Sequence, residues 1–289
     1  MKGSKVRIII WSAVGAVVLA LLVVLLLKPS FLGRINLRLP NFTGVVYYDN
    51  DERYTAGAAE VENVRQIEVD WVSGSVEIIP YDGQTVLLEE TASAELEASQ
   101  QLHWLLDGDT LKIHFAKSGA RGLDTVEKHL TIQVPGTLAL TELSVETVSA
   151  DVTVTGCTAQ ELSVDTTSGD LHIQDACGEE LDLDTVSGNM TGGELAFSKV
   201  DGESVSGEMA LAFQYGFCPR EAEFDSVSGN VTLTLPENSG FTAEFDSVSG
   251  DFSSELACTQ AKGVYICGDG SARLSVNTTS GNMQVLIQK

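Results

Sequence analysis

Residues Leu162–Ile173 read LSVDTTSGDLHI, and variants of this stretch recur through the C-terminal half of the chain. Anchored on the Ser of each Ser-Gly or Ser-Ala step, the copies fall at Ser149, Ser168, Ser187, Ser206, Ser228, Ser249 and Ser280, spaced 19, 19, 19, 22, 21 and 31 residues apart. A period near 20 residues marks a stacked array, in which each repeat buries its apolar face only against its neighbours. Four residues before the anchor stand Val145, Val164, Leu183, Gly202, Phe224, Phe245 and Val276. Two before it stands Thr or Ser, and three after it Val, Leu, Met or Phe. Apolar and polar residues alternate on both sides of the step, the pattern of two half-buried strands. Gly supplies a bend without a Cβ, and the Asp or Asn that follows bonds to nearby backbone N–H groups. One copy is therefore strand, corner, strand and a variable return. The expected fold is all-β, a β-solenoid of about 20-residue rungs one strand spacing (~4.8 Å) apart. Phe224 and Phe245, at one inward position, are expected to stack.

Working outward, Val64–Pro80 (VRQIEVDWVSGSVEIIP) already has the form of a rung, around Ser73-Gly74. Thr85–Glu90, Leu111–Phe115 and His129–Pro135 read as further strands, and Ala92–Leu106 as a short helix or an irregular stretch. Residues 61–140 are assigned to an N-terminal cap with diverged rungs, and residues 141–289 to the regular array. Lys28–Glu60, with Pro29, Pro40 and scattered Gly, reads as a tether. Ile8–Leu27 carries no charge, and twenty helical residues span ~30 Å, the thickness of a bilayer core. No small-residue cleavage site follows it, so residues 1–27 are expected to form an uncleaved single-pass transmembrane helix with a cytoplasmic N-terminus. Lys2, Lys5 and Arg7 before the segment nearly balance Lys28, Arg34 and Arg38 after it, so loop charge orients it only weakly.

An apolar anchor segment, then I-x-V-x-x-x-S-G-x-V-x-I at Ile67–Ile78, a strand ending in Val134-Pro135 and tandem T-x-S-G-[DN] copies together resemble the bacterial putative-adhesin family, the LiaG-like proteins. The resemblance covers roughly residues 60–289. It implies an envelope-associated β-solenoid and supplies no catalytic residues. Ser149-Ala150 departs from the Ser-Gly step, and the long gap from Ser249 to Ser280 implies an insertion or an extra rung.

The chain has 41 acidic against 17 basic residues in 289, a formal charge of −24. That excludes a nucleic-acid partner, which needs basic patches, and docking of the solenoid on anionic lipid. None of His103, His114, His129 and His172 has zinc-ligand spacing, and there is no phosphate loop or nucleophile elbow. The carboxylates are patterned. Stacking aligns one polar column three residues before each anchor: Glu146, Asp165, Asp184, Glu203, Asp225, Asp246 and Asn277. A second, two residues after it, holds Asp151, Asp170, Asn189, Glu208, Asn230, Asp251 and Asn282. Unit charges ~5 Å apart repel by about 1 kcal/mol in water, which a hard divalent cation such as calcium would relieve. The alternative is a solvated acidic face with corner-capping Asp and Asn.

Of five Cys, Cys157 and Cys177 lie at similar offsets on adjacent rungs, within the Cα range of a disulfide, while Cys258 and Cys267 bracket a loop. Disulfides at these pairs compete with a reading of buried thiols in turns. The final copy runs to Lys289 with Met283, Val285 and Ile287 inward, so an exposed strand edge and weak end-to-end self-association are expected there. The functional expectation is a non-catalytic, membrane-anchored, extracytoplasmic solenoid with a binding or structural role, its partner an envelope protein or a glycan. The alternatives are a polymerising, membrane-tethered cytoplasmic scaffold and a polysaccharide-active β-helix enzyme. The enzyme would need convergent carboxylates with Arg or Lys in a groove.

Overall fold

The computed structural model describes residues 51–261 and 263–288, which belong to one compact unit, Gly44–Lys289. The anchor segment Ile8–Leu27 lies outside the described residues. Among those described, no helix is long and apolar enough to cross a membrane. They form twenty-one strands in one hydrogen-bonded network, with a single 3-10 turn at Asp51–Arg53.

Each copy of the repeat contributes a leading strand before its anchor and a trailing strand after it. The leading strands pair in parallel in the order Gln66–Tyr81, Ala139–Thr155, Thr158–Thr166, Cys177–Thr185, Met190–Ser206, Glu221–Ser228, Ala272–Ser280 and Phe241–Ser247. The trailing strands follow the same order, through Leu171–Gln174, Met209–Phe213 and Val231–Leu235 to Met283–Ile287 and Phe252–Ser254. Register is strict: Leu162 is level with Leu181, and Leu171 with Met190. The inward columns of both faces are buried, with Leu143, Val164, Ile173, Phe224 and Val285 all at 0% exposure.

The Ser-Gly step is required by the approach of one corner to the next. A Cβ on Gly188, Gly207 or Gly229 would stand 1.9–2.0 Å from the carbonyl oxygen of the preceding Gly in the column. The Thr two residues before the anchor closes the corner, for the N–H of Gly169 donates to Thr166 Oγ1 (3.0 Å) and that of Gly188 to Thr185 Oγ1 (2.9 Å). Ala150, the exception, lies beside Gly74, whose φ of 90° breaks the corner geometry repeated elsewhere.

Two expectations are corrected. Phe224 and Phe245 do not stack, because Val276 pairs with both and stands between them. Phe224 instead fills the space left by Gly202, where a Cβ would lie 2.8 Å from its ring. Nor is the final copy the end of the array. The chain passes from the Ser228 rung to the Ser249 rung with one place left empty, then returns through the Ser280 rung to fill it. Met283–Ile287 is therefore paired on both sides, and Met283 and Val285 are fully buried. The residues between Ser249 and Ser280 form a hairpin, Cys258–Ala261 with Val264–Cys267, whose second strand runs antiparallel along Phe241–Glu244 and covers that edge.

The first rung is extended on both faces. Thr110–His114 joins the leading face in parallel, with His103–Asp107 antiparallel beyond it. Lys128–Pro135 joins the trailing face, with Val86–Ala92 antiparallel beyond it. Residues 93–102 between these hairpins are irregular rather than helical. Between the two faces lies Lys128, fully buried. Its ammonium group reaches Glu90 Oε1 at 2.6 Å, donates to the carbonyls of Gln100 (2.7 Å) and Phe115, and sits 4.2 Å from the Phe115 ring centroid. Burial lowers the Lys128 pKa, and the Glu90 carboxylate opposes that shift.

Two predictions follow from this packing. Gly207→Ala should cost about 3 kcal/mol in chemical denaturation, because the added carbon meets backbone, while Ser206→Ala on the exposed side should stay within about 0.5 kcal/mol. Lys128→Met should cost about 3–5 kcal/mol by leaving Glu90 buried without its cation, and Lys128→Met with Glu90→Leu should recover much of the loss.

Candidate functional site

The outward columns hold the candidate residues, and strict register decides what each can do. In the column after the anchors the oxygens serve the backbone. Asp151 Oδ1 accepts the N–H of Asp170 (3.0 Å), and Asp170 Oδ1 accepts that of Asn189 (2.8 Å). Asn189 Oδ1 accepts the N–H of Glu208, Asn230 Oδ1 that of Asn282, and Asn282 Oδ1 that of Asp251. These residues cap each corner onto the next, a charge-assisted bond where the acceptor is Asp.

In the column before the anchors the carboxylates are true neighbours. Glu146 is level with Asp165, Asp165 with Asp184, Asp184 with Glu203, and Glu203 with Asp225. Asn277 then separates Asp225 from Asp246 and donates to Asp225 Oδ1 at 2.9 Å. A further outward column adds Asp182, Asp201 and Glu223 on the same face. Basic residues relieve part of the crowding, since Lys199 bridges Glu180 (2.8 Å) and Asp201 (2.5 Å) and Arg220 pairs with Glu179. At the centre, burial together with Asp182, Asp165 and Glu203 pushes Asp184 well above the usual carboxylate range, and the two carboxyl groups of Asp184 and Asp165 share a hydrogen bond. Burial, together with Asp165, Asp201, Glu180 and Glu203, pushes Asp182 up to about 6. The face is a graded ladder: among the described residues no three His, Cys, Asp or Glu side chains cluster with metal-holding geometry.

The cysteines divide. Cys258 and Cys267 face each other across the hairpin and are disulfide-bonded, with Cα atoms 4.2 Å apart. Cys157 and Cys177 carry free thiols. Their expected stacking fails by one residue, for Cys177 is level with Thr158 and bonds to its Oγ1. Cys157 is buried, which pushes its thiol up to about 12. His172 is exposed on the trailing face with Nδ1 2.9 Å from Thr191 Oγ1, whereas His103 and His114 are buried in the N-terminal cap. The Lys128–Glu90 pair had no sequence signal beyond a charged residue at the start of a strand.

An in-register β-solenoid with corner ladders is the class these features define. The chain belongs to the Toastrack DUF4097 family, which its residues 64–211 and 125–286 match. Among solved structures it is similar to a putative adhesin from Bacteroides fragilis (12% identity, TM-score 0.43, 81% of this chain and 98% of that one). It is also similar to a putative adhesin from Parabacteroides distasonis (16%, 0.44, 83% and 99%) and to a putative lipid binding protein from the same organism (15%, 0.45, 80% and 96%). No curated protein matches the chain.

The acidic ladder makes a pH prediction. Raised carboxyl pKa values mean that the folded state holds protons which the unfolded chain, near pKa 3.9, has already released. The stabilisation is complete below about pH 4 and is lost as pH rises through about 6 for Asp182, and further for Asp184. The melting temperature should therefore fall from pH 5 to pH 8, and Asp184→Asn should raise it at pH 8 and flatten the slope. A slope identical in the variant would remove Asp184 as its source.

Proposed function

We propose that this protein is a membrane-anchored, extracytoplasmic β-solenoid with a non-catalytic binding role in the bacterial cell envelope. The observation that carries the location is the Cys258–Cys267 disulfide, because such bonds persist in oxidising compartments outside the cytoplasm. The uncharged run Ile8–Leu27 supplies the anchor. The binding role is supported by shape and chemistry. The solenoid presents two long outward faces, and its carboxylates are spread along ladders rather than converging with Arg or Lys in a groove, as polysaccharide cleavage requires. The polymerising scaffold is less well supported, because antiparallel hairpins flank the stack at both ends. Self-association through the C-terminal end would use the outer edge of Phe252–Ser254, which among the described residues pairs on one side only.

The test is topological. A Cys introduced at Ser30, in a chain whose free Cys157, Cys177 and Cys218 are replaced by Ser, should react in intact cells with a thiol reagent that cannot cross the membrane. Reaction only after lysis would place the solenoid in the cytoplasm and favour the scaffold.

A further inference from the structure

The chain enters the described structure over the acidic ladder. Tyr54 lies on the outer side of the leading face, its ring stacked on that of His114 with centroids 4.3 Å apart and its hydroxyl 3.3 Å from His114 Nε2. His114 Nε2 is in turn 3.1 Å from Asp70 Oδ2. Burial, followed by the charges of Asp70 and Glu68, pushes the Tyr54 hydroxyl up to about 12. Asp70 is level with Glu146, and Glu146 with Asp165. Tyr54 thus stands at the head of the carboxylate column that continues along the stack.

The next two rungs along that column supply acids and no cation of their own. Their leading strands, Ala139–Thr155 and Thr158–Thr166, carry Glu142, Glu146, Glu161 and Asp165 on the leading face and contain no lysine or arginine. Basic side chains stand to either side: Lys112 lies 3.2 Å from Glu68 on the rung before, and Lys199 bridges Glu180 and Asp201 beyond. Between the four acids, Ser144 and Ser163 point outward, in the column of Glu68 and Asp182. They are only 6% and 3% exposed, whereas Glu223, outward in the same column further along, is exposed. Outward hydroxyls kept from water form the floor of a covered surface, and buried polar groups are found where partners satisfy them.

The sequence that precedes Tyr54 has the chemistry and the length of the cover. In a chain of net charge −24, residues 28–48 include Lys28, Arg34 and Arg38 and no Asp or Glu. Arg38 lies sixteen residues before Tyr54, a reach of up to ~50 Å. Glu146 and Asp165 lie two and three strand spacings from His114, ~10–14 Å. Arginine presents a planar fork that matches a carboxylate in two hydrogen bonds. A segment of the same chain also meets the ladder at a high effective concentration, which a free basic peptide or polyamine would have to exceed. We propose that residues 34–50 dock on the leading face, with Arg34 and Arg38 set against the carboxylates of the Ser149 and Ser168 rungs. The solenoid is then strapped to its own N-terminal segment instead of hanging from a free tether. The inference goes beyond the binding role proposed above and does not depend on it.

The full chain in detergent micelles provides the test. Arg38→Lys keeps the charge and supplies an amine, and a zero-length carbodiimide should join position 38 to Glu142, Glu146, Glu161 or Asp165 of the same chain, as read by peptide mass spectrometry. Sodium chloride at about 1 M, which shortens the Debye length to ~3 Å, should suppress that coupling. In the unaltered chain, trypsin should cut after Arg34 and Arg38 about fivefold more slowly than in the double variant Glu146→Gln with Asp165→Asn, because a docked segment is cut only when it opens. Asp246→Asn, at the far end of the same column, should leave the rate unaltered. Neutralising a crowded carboxylate removes repulsion and so keeps the fold, and Arg38→Lys leaves the ladder untouched. Coupling of position 38 spread over the acids of both faces, coupling only between two chains, or cleavage as fast in the unaltered chain as in the ladder variant would overturn the proposal. The thiol-labelling result stands or falls separately, because it reports on location alone.

Discussion

The closeness of one corner to the next governs this fold. At the Ser-Gly steps, successive corners approach until a Cβ would lie about 2 Å from a carbonyl oxygen, so the glycines form a column of their own. That contact fixes the register, and the register forces equal positions of every copy to become neighbours. Inward, this is favourable, since Leu162 meets Leu181 and Val145 meets Val164 in a buried column. Outward, it brings like charges to one strand spacing, where they repel. The chain answers in several ways. Asp and Asn oxygens after the anchors take backbone N–H groups, Asn277 inserts a donor between Asp225 and Asp246, Lys199 bridges two acids, and the Asp184 carboxyl is pushed well above the usual carboxylate range.

A parallel stack has two open edges by construction, and unpaired edges invite other chains. Here the C-terminal strand is drawn into the interior of the stack, and a disulfide-closed hairpin covers Phe241–Glu244 at the end it might otherwise have occupied. At the other end, antiparallel strands extend both faces around a buried ammonium group. Lys128 is held by Glu90, two carbonyls and an aromatic ring, which together satisfy a charge that would otherwise be too costly to bury. These end structures separate a discrete solenoid from an open-ended one.

The outer surfaces then divide the labour. The leading face concentrates carboxylates, with the pH response that this entails, and the trailing face carries the Asp and Asn oxygens that cap each corner onto the next. Along the leading ladder the carboxylates are spread over successive rungs rather than gathered at one point.

The repeat was legible in the sequence because the β-strand period is local: alternation around Ser168 or Ser228 states which side chains point inward, wherever the strand later pairs. The rung at Ser73, the corner glycines and the two carboxylate columns follow from the same pattern. Only the tertiary structure decided the order of the rungs, because the Ser280 copy is as good a neighbour for Ser228 as the Ser249 copy, and a period along the chain does not rank them. It also separated Cys157 from Cys177, one residue out of step in a stack where one residue reverses a side chain, and set Val276 between Phe224 and Phe245. Lys128 stayed illegible for the same reason: its partners come from Glu90, Gln100 and Phe115, and a buried charge is recognisable only once the groups that satisfy it have been brought together.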